Sequence, residues 1–303
     1  MPALTELLQS YRLGVESWSE QANEPGWAVV EQEIAWADAL NKAWSPVSHL
    51  TSVADSKALR EAYNSGLQHL TEHENWRQQH PGIFAIYRDM KASESFRDLD
   101  PVQQRIVELE LRDFHLAGVD LPAEEQQTYR DLVMRLSQLG SRFSENVIDA
   151  TQAWTLHFDN TDRLKGLPGA ELNLLEGIAR SHDRDGWMAD LSAPCFHAVM
   201  THADDQELRR EIYTAYVTRA SDQGPFAGQW DNMPLIEEIL SLRHQLARLL
   251  GFENYVEFAL ARRMADSPAS VIEFLESLAS RARPAARQQY DALLDFAREQ
   301  GAH

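Results

Sequence analysis

"YRDLVMRLSQLGSRFSENV", Tyr129 to Val147, places apolar side chains at Tyr129, Leu132, Leu136, Leu139, Phe143 and Val147. Steps of three and four residues follow the turn of an α-helix, whereas a half-buried strand would alternate strictly. A second stripe, Trp27, Val30, Ile34, Ala37 and Leu40, repeats the pattern upstream. The expected helix ends carry matching chemistry. Asp100-Pro101 reads as an N-cap followed by proline at the first helical position, Ser267-Pro268 reads the same way, and Gly118 reads as a stop. Pro81-Gly82 is expected to break the helix before it. The fold is therefore predicted to be mainly α.

One region departs from this period. Between Trp154 and Leu191, "WTLHFD" alternates and "GWMADLS" follows a short helical segment, which predicts a small two-stranded β element. The chain is accordingly divided into an N-terminal helical region, residues 1–152, and residues 153–303, where the β element is followed by long helices. "SDQGPFAGQWDN", Ser221 to Asn232, is the most irregular stretch between helices, and "DALLDFAREQGAH" keeps helical phase almost to its end. No internal repeat or low-complexity run interrupts the pattern.

Composition narrows the function classes. Forty-seven acidic against 28 basic side chains leave a formal charge of −19, which repels phosphate backbones and anionic lipid, so no nucleic-acid or membrane partner is expected. Cys195 stands alone, which excludes a disulfide framework or a C-x-x-C pair and fits a reducing, cytoplasmic location. The first thirty residues have neither the basic start nor the long apolar run of a secretory leader.

The most suggestive local motif is His69-Leu70-Thr71-Glu72-His73, an H-x-x-E-H in which two histidines at i and i+4 share a helix face and a glutamate could activate water. A stripe of Leu59, Tyr63, Leu67 and Leu70 puts His69, His73 and His80 together on the flank of that helix. His80 is too far along the axis to join His73 at one ion, about 10 Å away, and no third ligand is identifiable. The helix-flank reading therefore prevails, and no metal is expected in this chain. His197 and His202, five residues apart, share a face less well. No G-x-S-x-G, P-loop or G-x-G-x-x-G is present to anchor acyl, phosphoryl or dinucleotide chemistry. Cys195, between Pro194 and Phe196, reads as a buried small hydrophobe. Arg209, Arg210, Arg219 and Arg243 near the irregular loop read first as ion-pairing residues, and Asp231-Asn232 ahead of Pro234 as a helix N-cap.

Longer blocks carry a resemblance. "WSPVSHLTSV" (Trp44 to Val53), "LREAY" (Leu59 to Tyr63), "RDFHLAGVDLPAEEQQTYRDLVMRLSQLGSRFSENVIDAT" (Arg112 to Thr151), "LRREIYTAYVTRASDQGP" (Leu208 to Pro225) and "WDNMPLIEEILSLRHQLARLLGFENYVEFAL" (Trp230 to Leu260) resemble the N-terminal part of the thimet oligopeptidase and neurolysin family of zinc metallopeptidases. The similarity runs from about Trp27 onward. It implies a multi-helix, neurolysin-like fold, in which residues 153–303 begin the peptidase domain. The family's zinc ligands lie on an H-E-x-x-H helix and a glutamate beyond it, in the C-terminal half of a longer chain. No such motif occurs here, and His69 to His73 does not align with it. The resemblance thus implies zinc in the complete enzyme, no catalytic residue in these 303 residues, short peptides as substrates, and the C-terminal catalytic half as partner. Arg219, Asp231, Asn232 and Arg243 become candidates for the substrate channel. The alternative is a non-enzymatic helical protein-interaction module on the same scaffold.

Overall fold

A computed structural model describes residues 2–21, 26–54 and 56–301. In chain order they contain α1 (Pro2–Gln21), α2 (Trp27–Val53), α3 (Lys57–Gln78), α4 (Pro81–Ala92), α5 (Pro101–Leu116), α6 (Ala123–Ala153), β1 (Thr155–Phe158), α7 (Gly169–Ser181), β2 (Trp187–Asp190), α8 (Ala193–His202), α9 (Gln206–Val217), α10 (Met233–Leu249), α11 (Tyr255–Leu260) and α12 (Pro268–Glu299). The fold is mainly α with one small sheet, as the periodicity predicts. Helix dominance follows from apolar side chains repeating at helical spacing, and the sheet from the one segment where they alternate.

The chain packs as two compact units. The first comprises Met1–Gln21, Val30–Asn75 and Arg130–Leu242. Its β1 and β2 pair antiparallel, with Thr155 opposite Asp190 and Phe158 opposite Trp187. The core around this pair is formed by Leu175 of α7, Ala189 of β2, Cys195 and Val199 of α8, and Leu208 and Ile212 of α9. Asp205 fixes the start of α9, accepting from the amides of Glu207 and Leu208, and it also accepts from Arg163 at 2.9 Å. The Arg163 guanidinium, helped by the Leu208 amide, holds the Asp205 carboxyl below the usual carboxylate range.

In the same unit α1 buries Leu4, Leu8, Tyr11, Val15 and Trp18 at helical spacing. The Tyr11 hydroxyl donates to Glu33 at 2.7 Å, and Trp18 stacks on Trp36 with ring centroids 5.0 Å apart. These contacts correct the predicted α2 stripe. Val30 and Leu40 are buried as expected, but Ile34 is 47% exposed while Glu33 is only 2% exposed. A buried carboxylate needs a donor, and Tyr11 supplies one, so the helix turns its Glu33 side inward.

The second unit comprises Ala22–Val29, Trp76–Tyr129 and Arg243–His303. Here α4 buries Ile83, Tyr87 and Met90 and packs against Val107 and Phe114 of α5, with the Tyr87 and Phe114 rings 5.7 Å apart. The predicted cap of α5 is a full capping box: Asp100 accepts from Val102 and Gln103 amides, and the Gln103 side chain accepts from the Asp100 amide. Gly118 adopts φ +77° just beyond α5, the left-handed conformation that terminates helices. Ser267 and Ser270 make the matching box ahead of Pro268 in α12. His80 is not on the helix that carries His69 and His73. That helix ends at Gln78, and His80 is the N-cap of α4, its Nδ1 accepting from the Ile83 amide at 3.2 Å. No residue of α12 is buried, and Ile272, Leu275, Leu278, Tyr290, Leu293 and Phe296 are all exposed.

Two outcomes are expected. In urea unfolding, Leu208→Ala should cost about 2–5 kcal/mol because it opens a cavity in a closed core, whereas Leu293→Ala on α12 should stay within about 0.5 kcal/mol. Because the Asp205 pKa is lowered on folding, its contribution is complete above the unfolded value, near pH 4. It is lost as pH falls through the lowered folded value. Asp205→Asn should therefore flatten the acid limb of a stability-versus-pH curve while lowering its plateau.

Candidate functional site

The irregular loop is a closed structure with its ends tied together. α9 stops at Val217, and the Ala220 carbonyl accepts from the Asn232 amide at 3.0 Å, so residues 221–231 form an Ω-shaped excursion. Gly224 and Gly228 have φ +79° and +77°, and Ala220 and Trp230 also take positive φ, which is strained for side chains of their kind. Phe226 packs on the core of this unit and meets Trp230 edge-on at 5.5 Å, holding the excursion down.

Three channel candidates sit at the base of this loop. Arg219 lies over the Tyr216 ring at 3.8 Å, donates from Nε to the Tyr216 carbonyl, and reaches Thr151 Oγ1 on α6 at 3.0 Å. Tyr216 in turn stacks on Phe196 at 3.9 Å. Asp231 accepts from the Met233 amide at 2.9 Å, the capping contact that its position ahead of α10 predicts. Asn232 is buried. Its Oδ1 accepts from Asn146 at 2.8 Å and its Nδ2 donates to the Phe143 carbonyl at 3.1 Å. Arg243 belongs to the second unit, where it lies over the Tyr255 ring at 4.9 Å.

The H-x-x-E-H letters do not form a ligand set. His73 is buried and meets Tyr11 edge-on at 4.7 Å, whereas His69 is exposed, with Nδ1 4.0 Å from Glu72. Holding one ion between them would require breaking the Tyr11 packing. Among the described residues no three His, Cys, Asp or Glu are grouped to hold a metal ion. A zinc ion is therefore not fitted by the described residues of this chain. His197 and His202 both line an open cavity of about 300 Å³ beside Glu171. Burial raises the Cys195 thiol to about 12, so it stays neutral and inert, as expected for a small core residue.

Sequence reasoning missed a larger feature of the first unit. Two adjoining hollows, about 400 and 330 Å³, lie along α3 and α6 and are lined by serine and threonine hydroxyls together with apolar side chains such as Leu67, Met134 and Ile148 and the charged Arg60, Arg142 and Glu145. The available signal was Ser137, Ser141 and Ser144 at steps of four and three on α6, beside the apolar stripe that drew the helical reading.

Known proteins share the sequence of this chain. Residues 4–127 match the Neurolysin/Thimet oligopeptidase N-terminal domain, and residues 199–303 match Peptidase family M3. The mainly helical fold and these two matches define the class: the chain belongs to peptidase family M3. Within it, the similarity is to the N-terminal part of oligopeptidase A. The proteins of that name from Salmonella typhimurium and Escherichia coli are each 44% identical over 299 residues, and that from Haemophilus influenzae is 42% identical over 295. Those alignments cover 97–98% of this chain, which spans about 44% of the length of the curated relatives it matches. No helix among the described residues is long and apolar enough to cross a membrane.

The two imidazoles are expected to behave differently on substitution. His73→Ala should cost about 1–3 kcal/mol in chemical denaturation and His69→Ala less than about 0.5. Equal costs, or a zinc-dependent midpoint lost in both variants, would identify a ligand pair instead. A disulfide reagent should react with Cys195 only on unfolding, even at about pH 9, where a thiol with an ordinary pKa is largely ionised.

Proposed function

We propose that these residues form the N-terminal segment of an oligopeptidase A-like zinc metalloendopeptidase that hydrolyses short peptides in the cytoplasm, and that they do not hydrolyse peptides alone. One observation carries the reading: 44% identity maintained over 98% of the chain to proteins named oligopeptidase A. Zinc belongs to the complete enzyme in this reading. Since no group among the described residues fits the ion, bond cleavage is assigned to the part of the enzyme outside this segment.

The chain's own contribution is to bind and orient. A formal charge of −19 sets up a field that favours cationic and neutral peptides over anionic polymers. Arg219, Asp231 and Asn232 act on the substrate channel through the loop whose base they hold, and Arg243 remains a channel candidate on its own helix. Holding a peptide in one orientation removes much of the entropic part of a reaction barrier, and such positioning supplies several kcal/mol. The bare face of α12 supports the partner assignment. Seven large apolar side chains, Phe274 among them, are exposed along this one helix, more apolar surface than monomers usually leave open, and the remaining part of the family's chain is the segment proposed to cover it. The same face is what a non-enzymatic interaction module would use, and activity separates the two.

A quenched fluorescent peptide should remain intact with the purified chain. Co-expressed with the remaining C-terminal part of an oligopeptidase A, the chain should raise hydrolysis at least tenfold over that part alone, with an intact oligopeptidase A as positive control. Cleavage by the chain alone, or a co-purifying complex with no gain in rate, would sink the proposal.

A further inference from the structure

We propose that α12 is an interaction surface for a second copy of this chain, and that two α12 helices pair antiparallel about a two-fold axis level with Pro284. α12 is a 32-residue helix with no buried residue. Its large apolar side chains repeat after 18 residues: Ile272, Leu275 and Leu278 recur as Tyr290, Leu293 and Phe296. Eighteen residues make about five turns, so the two triplets share one face, within about 120° of arc. Ala282 and Ala286 occupy the same face between them.

The face is also symmetric end to end. Ile272 and Phe296 lie twelve residues either side of Pro284, Leu275 and Leu293 nine, Leu278 and Tyr290 six, and Ala282 and Ala286 two. An antiparallel copy with residue 284 at the axis therefore sets each large side chain level with a large one, and each alanine level with an alanine. Such a two-fold contact is self-complementary and closes at two copies. The alanines at the waist let the backbones approach, and the larger side chains toward both ends fill the space as the helices diverge from a crossing at about 8–10 Å. Pro284 does not obstruct it, because its position is about 180° from the centre of the face.

Area and charge favour this occupant. The six large side chains are 55–65% exposed, and covering them on each copy is on the order of the 800 Å² per partner of a standard interface. No acidic or basic residue falls inside the apolar arc. On the polar side Arg287 pairs with Asp291 and Arg298 with Asp295 within the helix, so those groups need no partner. The formal charge of −19 repels a second copy at long range, which makes association tighten as salt screens it. The pair stands on α12 itself and not on the oligopeptidase reading. Where the remaining part of an oligopeptidase A covers α12, that complex replaces the pair, since both use one face.

Sedimentation velocity of the 303-residue chain tests the pair directly. A monomer–dimer equilibrium is expected at micromolar concentration, its dissociation constant falling at least threefold as salt rises from about 0.02 to 0.2 M. Leu275→Lys and Leu293→Glu should each leave a folded monomer, because neither position is buried. Mixed in equal amounts the two variants should recover a dimer. The two-fold sets position 275 of one copy level with position 293 of the other, so the introduced ammonium meets the introduced carboxylate while the opposite end keeps both leucines. Leu240→Glu, at an exposed leucine of α10, should change nothing. A monomer at every concentration, a dimer indifferent to both α12 variants, no recovery on mixing, or assemblies larger than two would each overturn the inference. Hydrolysis is read separately. Complementation by a chain that is monomeric alone leaves the oligopeptidase reading standing and removes this pair, and a dimer without complementation does the reverse.

Discussion

Asn232 is the contact on which the first unit's functional region turns. A buried carboxamide must be satisfied at both ends, and here the partners are Asn146 and the Phe143 carbonyl of α6, while its backbone amide closes the loop on Ala220. Removing that side chain leaves α6 with unmet polar groups and frees the base of an excursion that holds strained φ at Ala220 and Trp230. Strain of this kind persists only where the surroundings over-determine the backbone. Arg219 adds a second tie from the same base to Thr151 on α6. The long helix that announces itself in the sequence by its apolar stripe is thus also the anchor for the least regular segment.

Periodicity made the helices legible because a repeat of 3.6 is a local property, and capping residues at Asp100 and Ser267 mark ends by bonds made within three residues. The strand pair was legible for a similar reason, since alternation changes over a few positions. The phase of α2 was not. Whether Ile34 or Glu33 turns inward depends on a Tyr11 hydroxyl 22 residues away, and nothing in the α2 letters records it. His80 shows the same limit at a helix end: Pro81 marked the break, but only the bond from the Ile83 amide assigns the histidine to the following helix.

Candidate chemistry was less legible than fold. In H-x-x-E-H the spacing is correct for two ligands on a face, yet the two imidazoles differ in environment, because Tyr11 of α1 covers one of them. A motif specifies which side chains lie near each other along one helix, whereas a ligand set depends on what packs against that helix. Arg219, Asp231 and Asn232 stood out by composition around an irregular loop, and the structure brings these three to its base. The hollows beside α3 and α6 escaped notice because they belong to no one segment. Asn64 and Ser141 meet across 77 residues of chain, and small polar residues on each helix read separately as ordinary solvent-facing positions.

A polar seam between two long helices has an energetic consequence. Replacing Ser137, Ser141 or Asn64 by apolar side chains of suitable size would fill the hollows and add burial worth about 25 cal/mol per Å². The hydrogen bonds now present are each worth about 1 kcal/mol net, because water offers the same groups comparable partners. The seam therefore sits below the stability that the same two helices could reach. Departures from local consistency concentrate where a protein does something other than fold. The strained loop held by Asn232 and the open seam held by Asn64 are two such departures, and α6 supplies the fixed side of both.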